Sequence, residues 1–208
     1  MIKRTLGSIY RKLYKNGVEE RAFRKRLSAH KGPIKLVVGS SGVFDEGWIP
    51  SEAHFLNLLD EKTWLNYFKE GQVDCIMAEH VWEHLTPAEG KKALSVCFKF
   101  LKKGGRIRIA VPDGFHEKEE YIEYVKPGGH GAGADDHKIL YTYKSLSEAY
   151  EENGFKVELL EYFDENKQFH HNPWDPEKGL IRRSEKYDSR NANGELNYTS
   201  LIIDGIKP

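Results

Sequence analysis

After Pro33 the chain alternates between short β-branched runs and helical patterns, and this alternation limits the folds open to it more than any other feature. Ile34–Val38 is an apolar run that stops at Gly39-Ser40-Ser41-Gly42, and Val73–Ala78 follows the break at Gly71 as a second buried strand. Thr86-Pro87-Ala88-Glu89 opens a helix, with Thr86 as N-cap, Pro87 at the first helical position and Glu89 closing a capping box. Ala93, Leu94, Val96, Cys97, Phe100 and Leu101 give that helix its apolar face, and Lys103-Gly104-Gly105 is expected to end it. Arg106–Val111 is the third strand, closed by Pro112-Asp113-Gly114. Ser145–Asn153 is another helix, and Phe155–Phe163 and Thr199–Ile206 are expected to form an antiparallel edge pair. The order specifies an α/β fold: a doubly wound, mostly parallel sheet with helices on both faces and an antiparallel edge strand. Cys75 and Cys97 fall on a strand and on an apolar helix face, so both are expected in the core.

Composition excludes several classes. At 208 residues, with 10 Phe, 11 Tyr and 4 Trp, the chain has the length and the large side chains for one well-buried domain. Lys+Arg and Asp+Glu are both 32, so nothing in the net charge draws nucleic acid, which is not expected as a partner. No apolar run approaches the ~20 residues of a membrane-spanning helix. The start, MIKRTLGSIYRKLY, carries charges throughout and no apolar stretch before a cleavage site. Two cysteines make neither a disulfide scaffold nor a four-thiolate site, and the expectation is a cytoplasmic protein.

The charge balance is local. Residues 1–31 hold ten basic side chains against Glu19 and Glu20, leaving the remainder at −8. Ile2, Leu6, Ile9 and Leu13 recur at helical spacing, Asn16-Gly17 is expected to stop that helix, and residues 18–29 to form a second. Residues 1–31 thus read as basic helices packed on or over a domain of 32–208. Their basic face is either solvated or docks on an anionic surface or partner.

In folds of this class ligands sit beyond the carboxyl ends of the strands. The segments there are Gly39-Ser40-Ser41-Gly42, then Glu79-His80-Val81-Trp82-Glu83-His84-Leu85, then Val111-Pro112-Asp113-Gly114-Phe115-His116. LVVGSSG followed by AEHVWEHLTPAEGKKALSVCFKFLKKGGRIRIAVPDG resembles the class I S-adenosylmethionine-dependent methyltransferases, in particular small bacterial proteins of the methyltransferase type 11 kind. The likeness covers roughly residues 33–208 and includes the tail GLIRRSEKYDSRN…YTSLIIDGIKP.

The resemblance implies S-adenosyl-L-methionine as cofactor. It places Gly39, Ser40, Ser41 and Gly42 along the cofactor, Glu52 on the ribose with Asp45 as the alternative, Leu58 or Asp60 near the adenine, and Glu79 and His80 closing the pocket. Three positions depart from the family's pattern: Val37 stands where it carries an acid, and Ser41 and Val43 where it carries glycines. The spacing from Gly39 to Glu52 is short, so the second strand must be abbreviated.

Methyl transfer asks mainly for in-line positioning, with a general base when the acceptor is a hydroxyl. His116, His130 and His137 are candidates for that base, His137 first because the aromatic run Ile139–Tyr143 anchors it, and Asp113 is the orienting carboxylate. Pro127–His137 is glycine-rich and reads as a loop over the site. His170-His171 and Trp174 lie on a long insertion that either shapes an acceptor site or is a surface loop. His80-Val81-Trp82-Glu83-His84 matches the H-x-x-E-H of some zinc proteases, but it follows a strand directly and precedes a new N-cap, so a loop or single turn is expected. Asp135, Asp136 and His137 are read as solvated, and no metal is expected. The expected activity is methyl transfer to a small acceptor, an oxygen on a sugar or metabolite; the alternative is a catalytically degenerate module of the same fold that works through a partner.

Overall fold

The computed structural model describes the backbone of residues 2–208 and the side chains of residues 14–208. After a long helix α1 (Ile2–Ala29) the chain runs through β1 (Lys35–Val38), β2 (Ile49–Ser51), α2 (Glu61–Leu65), β3 (Val73–Glu79), α3 (Pro87–Phe100) and β4 (Leu101–Val111). It continues through α4 (Glu119–Val125), α5 (Tyr143–Glu152), β5 (Lys156–Phe163), β6 (Phe169–His171) and β7 (Leu201–Ile206). The seven strands form one sheet in the order β2-β1-β3-β4-β7-β5-β6. β2, β1, β3 and β4 are parallel, and β7 runs antiparallel to both β4 and β5. β5 and β7 pair as expected, but β7 lies inside the sheet, and the antiparallel edge is the three-residue β6. The strand order reverses at β1, with β2 on one side and β3 on the other. That reversal opens a crevice between the ends of β1 and β3.

Strand alternation divides the core in two. Leu36, Val38, Ile76, Ala78, Ile107, Ile109 and Ile203 face a large cluster that takes in side chains of α1, α2, α3 and α5. Val37, Met77, Ala110 and Ile202 face a smaller one, completed by Trp48, Leu160 and Ile181, with Phe44 and Trp174 packed against it. Among the described residues no α-helix contributes a side chain to this smaller cluster. Residues 39–48, between β1 and β2, are too few for a helical crossover, which needs a dozen or more. Irregular chain around Phe44, Trp48 and Ile181 covers that face instead.

The capping box at Thr86 is present in both directions, with Thr86 Oγ1 accepting from Glu89 N–H and the Glu89 carboxylate from Thr86 N–H. Lys103-Gly104-Gly105 does not end α3. The helix stops at Phe100, and Val73 opposes Leu101 while Cys75 opposes Arg106, so residues 102–105 bulge out of β4. Gly104 takes φ +75° in that bulge. Cys97 is fully buried; Cys75 is half-buried against the smaller cluster.

Asn16-Gly17 does not stop the first helix. Gly17 costs about 1 kcal/mol there, but Lys15–Glu19 and Glu20–Arg24 pairs bracket it, and Phe23 is buried against Phe55 and Tyr67 at ring distances of 5.0 Å. Part of the basic face is spent on packing: Arg24 lies over Tyr67 and Arg26 over Phe44. The spacing of Ile2, Leu6, Ile9 and Leu13, and the charges of Lys3, Arg4, Arg11 and Lys12, lie outside the described side chains. Among the described residues no helix is long and apolar enough to cross a membrane.

Candidate functional site

Two cavities open at the carboxyl ends of the central strands. The first, about 300 Å³, is bounded by the β1 loop (Gly39, Ser40, Ser41), by Glu79 and His80 after β3, and by Arg182 and Arg183. The second, about 320 Å³, is bounded by His80, Glu83 and His84, by Gly131, Ala134 and His137 of the glycine-rich loop, and by Arg183, Arg190 and Tyr198. Both volumes stand at the small end of the range for ligand sites. His80 and Arg183 line both cavities and so stand where they meet.

Backbone strain concentrates at the first cavity. Ser41 (φ +47°) and His80 (φ +55°) are two of the three non-glycine residues with positive φ among the described residues. Such conformations cost of order 1–3 kcal/mol and persist where surrounding structure imposes them. Gly39 has φ +62°, and a Cβ there would sit 2.8 Å from Val81 Cγ2, so neither the turn nor the space admits a larger residue. Glu79 accepts hydrogen bonds from the backbone N–H of Arg183 (2.8 Å) and Arg182 (3.3 Å), and Arg182 pairs with Asp45. Val37, in place of the acid, lines this cavity.

Glu52 follows β2 directly, and its carboxylate accepts at 2.7 Å from Ser40 Oγ, whose residue lines the first cavity. With Ser40, Gly42, Phe23 and Phe55 it borders a smaller cavity of about 100 Å³ beneath α1. The two adenine candidates line neither of the two cavities. Leu58 is buried in the larger core cluster, and Asp60 caps α2 by accepting from Lys62 N–H.

Asp113, His116 and His130 line neither of these two cavities. Asp113 is fully buried, accepts from the N–H groups of Phe115 and Phe163 at 2.8 Å each, and so ties the end of β4 to β5. Burial pushes its carboxyl up to about 6. His116 is stacked on Tyr121 with ring centres 3.9 Å apart and packed on Phe163; burial first, then Lys118 and Lys167, drive its imidazole down to about 4. Both side chains are enclosed by the turn that Pro112-Asp113-Gly114 makes, which is why proximity in sequence to a strand end did not bring them to the cavity. His130 stands exposed, edge-on to Tyr124.

His137 does reach the second cavity. Its Nδ1 lies 2.6 Å from the Val125 carbonyl, so Nδ1 carries the proton and the Nε2 lone pair is free. Its ring meets that of His84 edge-on at 4.9 Å. The H-x-x-E-H segment is a 3-10 turn over Trp82–His84 entered through Val81 at φ −124°, so His80 and His84 do not present one helical face. His80 instead contacts Ser200 Oγ through Nε2 at 3.0 Å, and its Nδ1 stands 2.8 Å from Glu83 Oε1.

Sequence reasoning missed Arg182, Arg183, Arg190 and Tyr198. They lie between β6 and β7, on a segment held to the sheet by buried charge. Arg108 on β4 is 1 % exposed and chelates Asp204 of β7 through Nε and Nη2, at 2.7 and 2.8 Å. Its Nη1 donates to the carbonyls of Asp175 and Gly179. Glu161 on β5, also buried, accepts from Trp174 Nε1, Glu185 N–H and Thr199 Oγ1. Trp174 serves as an anchor and does not line the cavities. His170 stacks on Tyr162 and pairs with Asp164, and His171 pairs with Glu185. The signal for these arginines was the charged stretch GLIRRSEKYDSRN inside an otherwise polar insertion.

No protein-family model matches the sequence, nor does any curated protein. Solved structures match it in shape. A SAM-dependent methyltransferase from Archaeoglobus fulgidus is 17% identical, covers 92% of this chain and 93% of its own, and superposes at a TM-score of 0.46. A SAM-dependent methyltransferase from Thermotoga maritima, described as a possible histamine N-methyltransferase, is 14% identical over 99% of this chain and 97% of its own, at 0.48. Phosphoethanolamine N-methyltransferase 2 from Haemonchus contortus, solved with S-adenosyl-L-methionine, is 14% identical over 90% of this chain and 51% of its own, at 0.44. The fold itself is α/β, with one seven-stranded mixed sheet.

Proposed function

We propose that the chain transfers a methyl group from S-adenosyl-L-methionine to a small acceptor carrying a hydroxyl and an anionic group. The observation that carries this reading is the pair of adjoining cavities at the β1/β3 reversal, which share His80 and Arg183 as a common wall. One cavity suits a cofactor and the other an acceptor, with their contents meeting at that wall. Bound there, the cofactor supplies an electrophilic methyl on a sulfonium, a reaction in which the protein mostly orients and desolvates.

The residues present fit the cofactor. The Gly39–Gly42 turn leaves no side chain where a Cβ at Gly39 would collide with Val81. Glu79 spends two of about four acceptor positions on backbone N–H groups and keeps the others for an α-amine, which the absent acid at Val37 cannot hold. Arg183 suits an α-carboxylate, and Glu52, across Ser40, suits the ribose hydroxyls. In the second cavity Arg183 and Arg190 favour an anionic acceptor, and the Glu83–His84–His137 group is placed to receive a hydroxyl; His137 thus keeps a role that Asp113 and His116 lose.

Calorimetric titration with S-adenosylhomocysteine tests the reading. A dissociation constant on the order of micromolar is expected, weakened about 10- to 100-fold in Glu52→Ala and in Glu79→Gln, the loss appropriate to a hydrogen bond with a charged partner. A second reading, a binding module without turnover, is favoured by Val37 in place of the acid and by the two backbone bonds already made by Glu79. Absence of binding by a chain with a cooperative unfolding transition overturns methyl transfer and leaves that module.

A further inference from the structure

Glu83 is 1 % exposed, and neither of its carboxylate oxygens accepts a hydrogen bond. Its nearest polar neighbour, His80 Nδ1 at 2.8 Å from Oε1, lacks hydrogen-bond alignment. A buried carboxylate that accepts no hydrogen bond is costly, and such groups neutralise, pair or bind a cation. Beside it are two imidazoles, and one ligand atom each from Glu83, His84 and His137 lies within 4.8 Å of the others. All three line the second cavity.

We propose that Glu83, His84 and His137 bind a divalent transition-metal ion whose open coordination positions face the acceptor cavity. Two imidazoles and one carboxylate leaving positions for substrate is the donor set of catalytic zinc and non-haem iron centres. The local architecture supplies what such a site needs beyond its ligands. The Val125 carbonyl holds His137 Nδ1–H at 2.6 Å, fixing the tautomer so that Nε2 is the free nitrogen. His84 Nδ1 is buried without a hydrogen-bond partner, with Asp136 Oδ2 the nearest carboxylate at 3.4 Å. The 3-10 turn puts Glu83 and His84 side by side, and the loop that ends at His137 closes over them. Tetrahedral coordination with bonds of about 2.1 Å holds ligand atoms ~3.4 Å apart, so the three groups, within 4.8 Å of one another here, draw together on binding.

This set differs from the H-x-x-E-H reading of the sequence, because His80 is replaced by a histidine some fifty positions further on. Its use rests on the methyl-transfer reading. A coordinated acceptor hydroxyl ionises more readily, its proton leaving to water; the oxygen then bonds to the methyl carbon as the carbon–sulfur bond of the cofactor breaks. Metal binding itself does not rest on that reading.

The test uses the full chain after chelator treatment, titrated with Zn²⁺ in a calorimeter and with Co²⁺ by visible absorption. One equivalent of each is expected to bind, Co²⁺ giving the intense visible bands of a four- or five-coordinate ion. Affinity is expected to fall at least tenfold in His84→Gln and in His137→Gln, and to stay unchanged in His170→Gln, whose imidazole is outside the cavity. No binding overturns the proposal; so does binding that both cavity variants leave intact. Should His137→Gln not fold, His84→Gln and the Co²⁺ spectrum of the parent decide. Zinc binding lost in the variants upholds the site even if S-adenosylhomocysteine does not bind, and a chain that binds S-adenosylhomocysteine but no metal removes it alone.

Discussion

Single side chains show most clearly how burial redirects chemistry. His116 and Asp113 sit three positions apart, and burial shifts them in opposite directions. In the unfolded chain an imidazole charges near pH 6.5, whereas His116 resists protonation down to about 4. Its stabilising contribution is therefore complete above pH 6.5 and lost as acid takes the pH towards 4. Asp113 has its folded value raised to about 6, so its contribution is present below about 3.8 and lost as the pH rises through 6. Over the shared window the two oppose each other and flatten the acid limb. His116→Gln removes one of them. The variant is expected to be less stable than the parent at pH 7, with the gap narrowing by roughly 3 kcal/mol by pH 4.5, as two and a half pKa units imply. Urea midpoints at the two values check it; a gap independent of pH would mean that His116 titrates normally. None of this was legible in Pro112-Asp113-Gly114-Phe115-His116. A strand end in sequence says which residues are near a crevice, but whether a side chain turns inward depends on neighbours such as Tyr121 and Phe163.

Elements were read more faithfully where the determinant is local. The Thr86 box, the first two parallel strands and the Thr142-capped α5 are specified by caps and runs a few residues long, and they appear within one or two residues of their expected bounds. The failures are where a distant contact overrules a local signal. Asn16-Gly17 is a stop signal in isolation, but Phe23 joins the core seven residues after Asn16, and the helix continues. Lys103-Gly104-Gly105 is a helix terminator by composition, and pairing with β3 pulls Leu101 into the sheet before it. Phe23 is then the fully buried tie between α1 and the domain among the described residues. Phe23→Ala is expected to cost about 3–5 kcal/mol, the range for truncating a fully buried phenylalanine. It should also widen the cavity bordered by Glu52. A denaturant midpoint changed by less than 1 kcal/mol would mean that α1 packs independently of the sheet.

At the scale of the whole molecule, the strands deliver one wall of the candidate site, and a segment with only two short 3-10 turns, Pro176–Lys178 and Ser189–Asn191, delivers the other. Residues 172–199 cross the face of the smaller cluster and bring Arg182 and Arg183 to the cofactor cavity and Arg190 and Tyr198 to its neighbour. Irregular chain cannot satisfy its polar backbone by itself, and here Arg108 and Glu161 from the sheet do so, each burying a charge in the process. Arg108 has Asp204 as its buried counter-charge, whereas Glu161 relies on three neutral donors. The clamp therefore depends on the geometry of Glu161 more than on its charge. Glu161→Gln keeps the shape but replaces one accepting oxygen by an NH₂ that faces a donor, at a cost of about 1–3 kcal/mol for the unsatisfied pair. The loss should fall on the segment before it falls on the sheet, because β4, β5 and β7 pair along their lengths independently of it. Trypsin, which has Lys178, Arg182, Arg183 and Lys186 within reach on this segment, is expected to cut the variant there several-fold faster than the parent under native conditions. The same variant should bind an anionic acceptor more weakly while retaining S-adenosylhomocysteine contacts at Glu52. Equal cleavage rates in the two proteins would show that the segment is held without Glu161, and that the two cavities keep their shared wall without it.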